Sequence, residues 1–227
     1  MSPSTTALGP DEARLALDVF DRAFRLPINE FRRALGGLAM GEPARTMAYL
    51  CELARELPQQ FRDYVVAVQD ARPTEAEPIR LSAVLAEVDL RVAAEAAAKS
   101  QDFRCTVEGS DAEVRTDLAL CVEVLSRLAR NAVLYSPPGS TVWVTAASLG
   151  SAWRMCVSDD GPGIPSKLRG RLFEPFERLP RDIQDEVPGA GLGLTICRAL
   201  VSRMGGTITL DGPPDGGTLA TVELPAQ

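Results

Sequence analysis

Two short glycine clusters mark the C-terminal half of the chain, each at the end of a segment with apolar patterning. Asp159-Asp160-Gly161-Pro162-Gly163 follows an alternating run from Trp153, and Gly189-Ala190-Gly191-Leu192-Gly193-Leu194 runs into a helix-periodic segment ending near Met204. Glycines in such places let the backbone turn sharply and approach a ligand with no side chain intervening. Alternation puts Trp153, Met155, Val157 and Asp159 on one strand face, and Arg154, Cys156, Ser158 and Asp160 on the other. Asp159 thereby shares the apolar face, where a carboxylate needs a donor partner. The exocyclic amino group of adenine is such a donor, whereas guanine offers a carbonyl there and would be repelled. An ordinary Asp-Gly turn, with Asp159 bonded to backbone amides, fits the same residues. The second cluster leaves N–H groups at the positive end of a helix, a cradle for phosphate, although glycine-rich loops of this length also occur for other reasons.

Asp117 is placed to cap a helix over Leu118 to Leu134 with a core stripe of Leu118, Cys121, Leu125, Leu128 and Ala132. Arg127, Asn131 and Leu134 form the neighbouring stripe at i, i+4 and i+7. The amide oxygen of Asn131 suits Mg²⁺, which keeps waters and bridges phosphates. Asparagine is also common near helix ends, so this residue alone fits both readings.

With 227 residues, 45% apolar and 24% charged, the chain can bury a core. A net charge of -7 and a pI of 4.8 argue against nucleic acid as a partner. Five cysteines (Cys51, Cys105, Cys121, Cys156 and Cys197) form no Cys-x-x-Cys pair and read as small core residues in a reducing compartment. The chain has no histidine, which argues against structural zinc. No apolar run approaches about 20 residues and the N-terminus lacks a secretory pattern, so the expectation is a cytoplasmic protein without a membrane span.

Residues 1–10 read as a flexible tail. Phe24, Ile28, Phe31, Leu35 and Leu38 form one helical stripe, with Pro27 expected to kink it and Gly41-Glu42-Pro43 to end it. A second helix carries Met47, Leu50, Ala54, Leu57, Phe61, Tyr64 and Val68, with Pro58 as another expected kink. This hairpin, 11–71, is expected to pair across a two-fold axis into a four-helix bundle and make the protein a homodimer; packing of the hairpin on its own C-terminal domain is the alternative. Residues 72–79 read as a linker. Over 80–227, Ser82 is expected to cap a helix through Ala98, strands are expected at 103–107, 141–147 and 153–159, a helix at 194–204, and a hairpin of 206–210 with 218–224. The fold class is α+β, a sheet with helices on one face.

Asn131, Asp159, the segment Phe173-Glu174-Pro175-Phe176-Glu177-Arg178 and the two glycine clusters occur in the order and spacing of the GHKL ATPases, the superfamily of gyrase, mismatch-repair ATPases and histidine kinases. Arg130-Asn131-Ala132-Val133-Leu134-Tyr135-Ser136-Pro137 resembles the histidine-kinase N box and Phe173 to Arg178 its F box. The resemblance covers about 80–227. It implies an α/β sandwich ATP-binding domain of the GHKL (Bergerat) type in two-component signalling, with ATP and Mg²⁺ as cofactors. By this resemblance Asn131 would ligate Mg²⁺, Asp159 would bind adenine, and Gly161 and Gly163 would shape the base pocket. Tyr135 and Leu192 join the ATP-binding set. Arg178 would approach the γ-phosphate from a lid over Glu174 to Pro188, with Gly189, Gly191 and Gly193 as lid hinge and phosphate loop.

The chain departs from the family in three places. Arg127 replaces the first N-box asparagine, and Leu134 replaces the usual basic residue. Both lie on one stripe, so Arg127 is expected to supply the missing cation to phosphate. Arg127 also stands where another GHKL branch has a glutamate base, and it cannot accept a proton. Finally, Arg22-Ala23-Phe24-Arg25-Leu26-Pro27-Ile28 resembles the phosphoacceptor segment His-Glu-Leu-Arg-Thr-Pro-Leu, with Arg22 at the acceptor position. A protonated guanidinium does not attack phosphate, so no catalytic residue is assigned. The expected function is a dimeric regulatory pseudokinase that binds nucleotide. The alternatives are a kinase acting in trans on a partner's histidine, and an interaction module with a structural ATP site. A response regulator or another kinase is the implied partner.

Overall fold

The structure, a computed structural model, describes residues 43–69, 74–185, 187, 189–213 and 216–226. The tail, the first expected helix and Arg22 lie outside them. The strands are β1 (Glu77–Arg80), β2 (Asp102–Glu108), β3 (Glu113–Thr116), β4 (Thr141–Ser148), β5 (Ala152–Asp159), β6 (Thr207–Asp211) and β7 (Thr218–Pro225). The helices are α1 (Pro43–Gln69), α2 (Leu81–Ala98), α3 (Leu118–Tyr135), the short α4 (Ser166–Arg169) and α5 (Pro180–Gln184), and α6 (Gly193–Arg203). By its contacts the chain divides into two compact units: residues 60–174 with 192–227 form one, and segment 175–191 belongs to the other.

In the first unit, alternation in the sequence becomes a five-stranded sheet in the order β2-β4-β5-β7-β6. The β2–β4 pair is parallel and the others are antiparallel. Register aligns Val144, Val157 and Ala220 in one row and Ala146, Met155 and Val222 in the next, all buried. Trp153 and Leu224 end this face, against which α2, α3 and α6 pack. Each such large side chain contributes roughly 1.5–3 kcal/mol on burial, which fixes the register because a one-residue slip would turn them all to solvent.

The cap on α3 is as expected: Asp117 Oδ1 accepts from Leu120 N at 3.1 Å. The cap on α2 is not. The helix begins at Leu81 after Arg80, which makes no side-chain cap, and Ser82 sits inside the first turn. Pairing of Ile79 with Val114, and the bond from Leu81 N to Ala112 O, carry extended structure up to the helix start. Asp111 then serves as a remote cap, accepting from Ser82 N at 2.9 Å and Ser82 Oγ at 2.7 Å. α1 runs through Pro58 without interruption. Near its end Tyr64 and Ala67 are buried while Val68 is 48% exposed. The buried stripe there thus advances by three residues from Tyr64 rather than by the four expected.

Cys121 and Cys197 are fully buried, and burial pushes both thiols up to about 12. Cys105 on edge strand β2 and Cys156 on β5 are only half-buried, which corrects their expected place in the core. Among the described residues no helix is long and apolar enough to cross a membrane.

Candidate nucleotide site

Asp159 is the last residue of β5, in register with Val142 on one side and Thr218 on the other. Its Oδ1 accepts from Gly161 N at 2.8 Å and Thr218 N at 3.3 Å. Both bonds fall on Oδ1, and Oδ2 accepts none among the described residues. Asp160 is exposed and accepts from Thr141 N at 3.1 Å, so the two carboxylates point to opposite faces as the alternation requires. A β-carbon at Gly161 would lie 2.7 Å from Asp159 Oδ1, 3.3 Å from Tyr135 O and 3.4 Å from Ser136 Oγ. Glycine here lets the end of α3 close against the carboxylate. Gly163 (φ 66°) faces Gly217, whose φ is 80° and whose added β-carbon would fall 1.8 Å from Asp159 O.

Burial pushes the Asp159 carboxyl above the ordinary aspartate range; the N–H groups of Gly161 and Thr218 pull it back, and the charge of Asp160 adds to the rise. Asp159 therefore takes up a proton at higher pH than an exposed aspartate, and a protonated carboxyl is a poorer acceptor for an amino group. Affinity for ATP, measured against inosine triphosphate to remove the phosphates' own titration, should fall on acidification before the ordinary aspartate value of 3.8 is reached. A ratio flat down to that value would rule out Asp159 as the adenine acceptor. For folding the sign is that of any carboxyl raised in the native state: its ionisation costs stability as pH rises through the window.

Asn131 lies one turn from the end of α3, half-buried. A β-carbon at Gly193, the first residue of α6, would lie 3.8 Å from Asn131 Nδ2 and 4.0 Å from its Oδ1. The asparagine amide thus faces the N-terminus of α6, where amides without helical partners and the positive dipole end coincide. Leu192 is fully buried, and its carbonyl accepts from Ile196 N at 3.0 Å. Leu134 is 39% exposed. Arg127 is held by two carboxylates: Nε donates to Glu123 Oε1 at 2.6 Å and Nη2 to Asp63 Oδ2 at 2.7 Å. Burial works against its charge, but Asp63 and Glu123 more than offset this and hold the guanidinium above its ordinary value.

Ahead of the expected lid, α6 holds the F-box segment. Thr195 Oγ1 donates to Phe173 O at 2.9 Å, Arg198 pairs with Glu174 at 3.3 Å, and its guanidinium lies 5.8 Å from the Phe173 ring centre. Thr195 and Arg198 escaped the sequence reading, although their i, i+3 spacing behind a glycine cluster was a usable signal.

Segment 175–191 is closed by its own bonds. Phe176 N donates to Gly191 O at 3.0 Å, and Val187 N to Asp182 O at 2.9 Å. Phe176 takes a positive φ of 64°. At Gly191 (φ 72°) a β-carbon would lie 2.8 Å from Glu177 O. Arg178 donates to Val187 O and to Asp182 O.

The structure thus gathers Asp159, Gly161, Gly163, Tyr135 O and Ser136 in one place, together with Gly217 and Thr218, which the sequence reading missed. It brings Asn131 to Gly193. Arg178, Gly189 and Gly191 belong to the other unit. Among the described residues no cluster of His, Cys, Asp or Glu is arranged to hold a metal.

Residues 116–227 match the family described as histidine kinase-, DNA gyrase B-, and HSP90-like ATPase. The sensor protein IrlS of Burkholderia pseudomallei (strain K96243) is 38% identical over 129 residues, which is 57% of this chain and 28% of IrlS. Sensor protein KdpD of Escherichia coli (strain K12) is 39% identical over 114 residues, 50% of this chain and 12% of KdpD. The solved structure of the mycobacterial sensor histidine kinase MprB is 29% identical, with a TM-score of 0.58, over 67% of this chain and 98% of that one. The chain spans less than a third of the length of these two sensor proteins. The C-terminal part of the chain is therefore similar to histidine kinase-like ATPase domains.

Proposed function

We propose that this chain binds Mg-ATP and acts as a nucleotide-dependent regulator in two-component-type signalling, as a cytoplasmic homodimer through its N-terminal hairpin, without autophosphorylation on histidine. The observation that carries the reading is the Asp159 carboxylate at the end of the apolar sheet face, with Oδ1 fixed by two backbone amides and Oδ2 left to accept. Adenine would donate its amino group to Asp159, Asn131 would ligate Mg²⁺, and the N-terminus of α6 would take phosphate. Arg178 would reach the γ-phosphate from segment 175–191. The absence of histidine from all 227 residues supports the regulatory role, because no acceptor of the family's kind is present. The partner would be a response regulator or another kinase.

The approach of Asn131 to Gly193 also favours a second reading, in which an ordered Mg-ATP meets a histidine supplied by a partner. Titrating ATP with Mg²⁺ and following γ-labelled ATP with histidine-bearing candidate partners separates the two. Binding with label retained on ATP supports the regulator, label on an added partner supports a kinase in trans, and no binding sinks both.

A further inference from the structure

The wall of the base pocket is held from outside it by two residues the family motifs do not include. α3 ends at Tyr135, and its last carbonyls, with those of Ser136 and Pro137, lack helical partners. Lys99 Nζ donates to the carbonyls of Val133 at 2.6 Å, Leu134 at 3.0 Å and Ser136 at 3.0 Å. Gln101 Nε2 donates to those of Val133 at 3.1 Å, Ser136 at 2.9 Å and Pro137 at 3.2 Å. Both residues lie on the turn between α2 and β2, which is tied to the same loop by Asp102 N donating to Ser140 O at 2.9 Å. Gln101 is 6% exposed. Lys99 is one of two lysines in a chain with 22 arginines. A compact ammonium with three rotatable donors can meet three converging carbonyls, which a planar guanidinium fork cannot do.

Ser136, whose carbonyl like that of Val133 accepts from both members of the clamp, is 2% exposed, and its Oγ has no hydrogen-bond partner among the described residues. That hydroxyl lies beside Gly161 and Asp159 and helps to keep the carboxylate charged. A buried hydroxyl left unpaired is costly and calls for a partner.

We propose that the clamp of Lys99 and Gln101 makes the Ser136 hydroxyl a specificity-determining group, which selects adenine by donating to ring N1, an acceptor in adenine that carries a hydrogen in hypoxanthine, while Asp159 accepts from the 6-amino group. The inference rests on the ATP reading above. Ser136 would touch the base; Lys99 and Gln101 are positioning residues acting through it.

The test compares dissociation constants for ATP and inosine triphosphate, which carries oxygen in place of the 6-amino group, in the full chain and in Ser136→Ala and Lys99→Met, with thermal unfolding followed alongside. One lost hydrogen bond should lower ATP affinity about five-fold in Ser136→Ala, and displacement of the wall should do so by a similar factor in Lys99→Met. Inosine triphosphate should change little, so the preference for ATP shrinks by the same factor. A merely structural clamp would weaken both nucleotides in parallel, and that result, or no change in either, overturns the inference. Should Lys99→Met fail to fold, Ser136→Ala decides alone, because it removes a single unpartnered oxygen. A parent chain that bound no ATP would instead bring down the ATP reading itself, whereas a parent that binds ATP with an unaltered preference in both variants refutes only the role of the clamp.

Discussion

Asp159→Asn should fold about as well as the parent and yet lose ATP binding by about a hundred-fold. The two backbone donors, Gly161 N and Thr218 N, both fall on Oδ1. An asparagine that keeps its carbonyl oxygen there satisfies them and must present its NH₂ where Oδ2 was. That group faces the adenine amino group donor to donor, so one charge-assisted bond is lost and a buried donor is left unpaired, together about 3 kcal/mol. Inosine triphosphate, whose 6-oxygen accepts, should lose far less, and the variant's preference should invert. Asp159→Ala lacks this separation: it leaves both amides without an acceptor and should lower stability by about 2 kcal/mol as well. Calorimetric titration of both nucleotides, with melting curves on the same samples, reads the outcome. Undiminished ATP binding by the asparagine variant would show that the carboxylate is only a turn-former, the other role its sequence context suits.

The contrast between those two roles shows what was legible in the sequence. Strands 141–148 and 152–159 could be read because a period of two survives into the fold as one buried face, and Asp117 because its capping bond reaches only Leu120. Asp159, Gly161, Gly163 and Asn131 stand in short motifs whose chemistry is local. What the sequence hid is what register and long-range packing create. Thr218 reaches Asp159 across 59 residues through the β5–β7 pairing, and Asp63 reaches Arg127 across 64. The expectation that Arg127 supplies a cation to phosphate rests on two departures from the family pattern and their shared helical stripe, and the two carboxylates that hold its guanidinium are visible only in the fold. Ser82 looked like a cap because serine precedes an apolar run, but the pairing of β1 with β3 moved the helix start two residues earlier, to Leu81, and handed the capping to Asp111. In the N-terminal half the signals were a stripe of apolar residues and a short resemblance at Arg22 to Ile28, and neither names the surface that covers the stripe.

Gly217→Ala should be among the most damaging single-methyl changes in this domain, while Gly216→Ala next to it should be mild. Both glycines have positive φ, 80° and 97°, so each substitution carries a backbone strain of about 1 kcal/mol. They differ in space. Nothing lies within 4 Å of a β-carbon at Gly216, whereas at Gly217 it would fall 1.8 Å from Asp159 O and 2.9 Å from Asp159 C. Those atoms cannot retreat, because Asp159 is paired with Val142 on one side and Thr218 on the other in the middle of the sheet. Relief has to come from Gly217 itself, which drags Thr218 N away from the carboxylate and opens the contact with Gly163. Overpacking against fixed backbone, added to the strain, should cost about 3 kcal/mol or more, against about 1 for Gly216→Ala. Chemical denaturation of the two variants measures the difference, and ATP affinity should follow it, since the atoms displaced are those that orient Asp159. Equal stability of the pair would mean that the loop before β7 does not press on the end of β5.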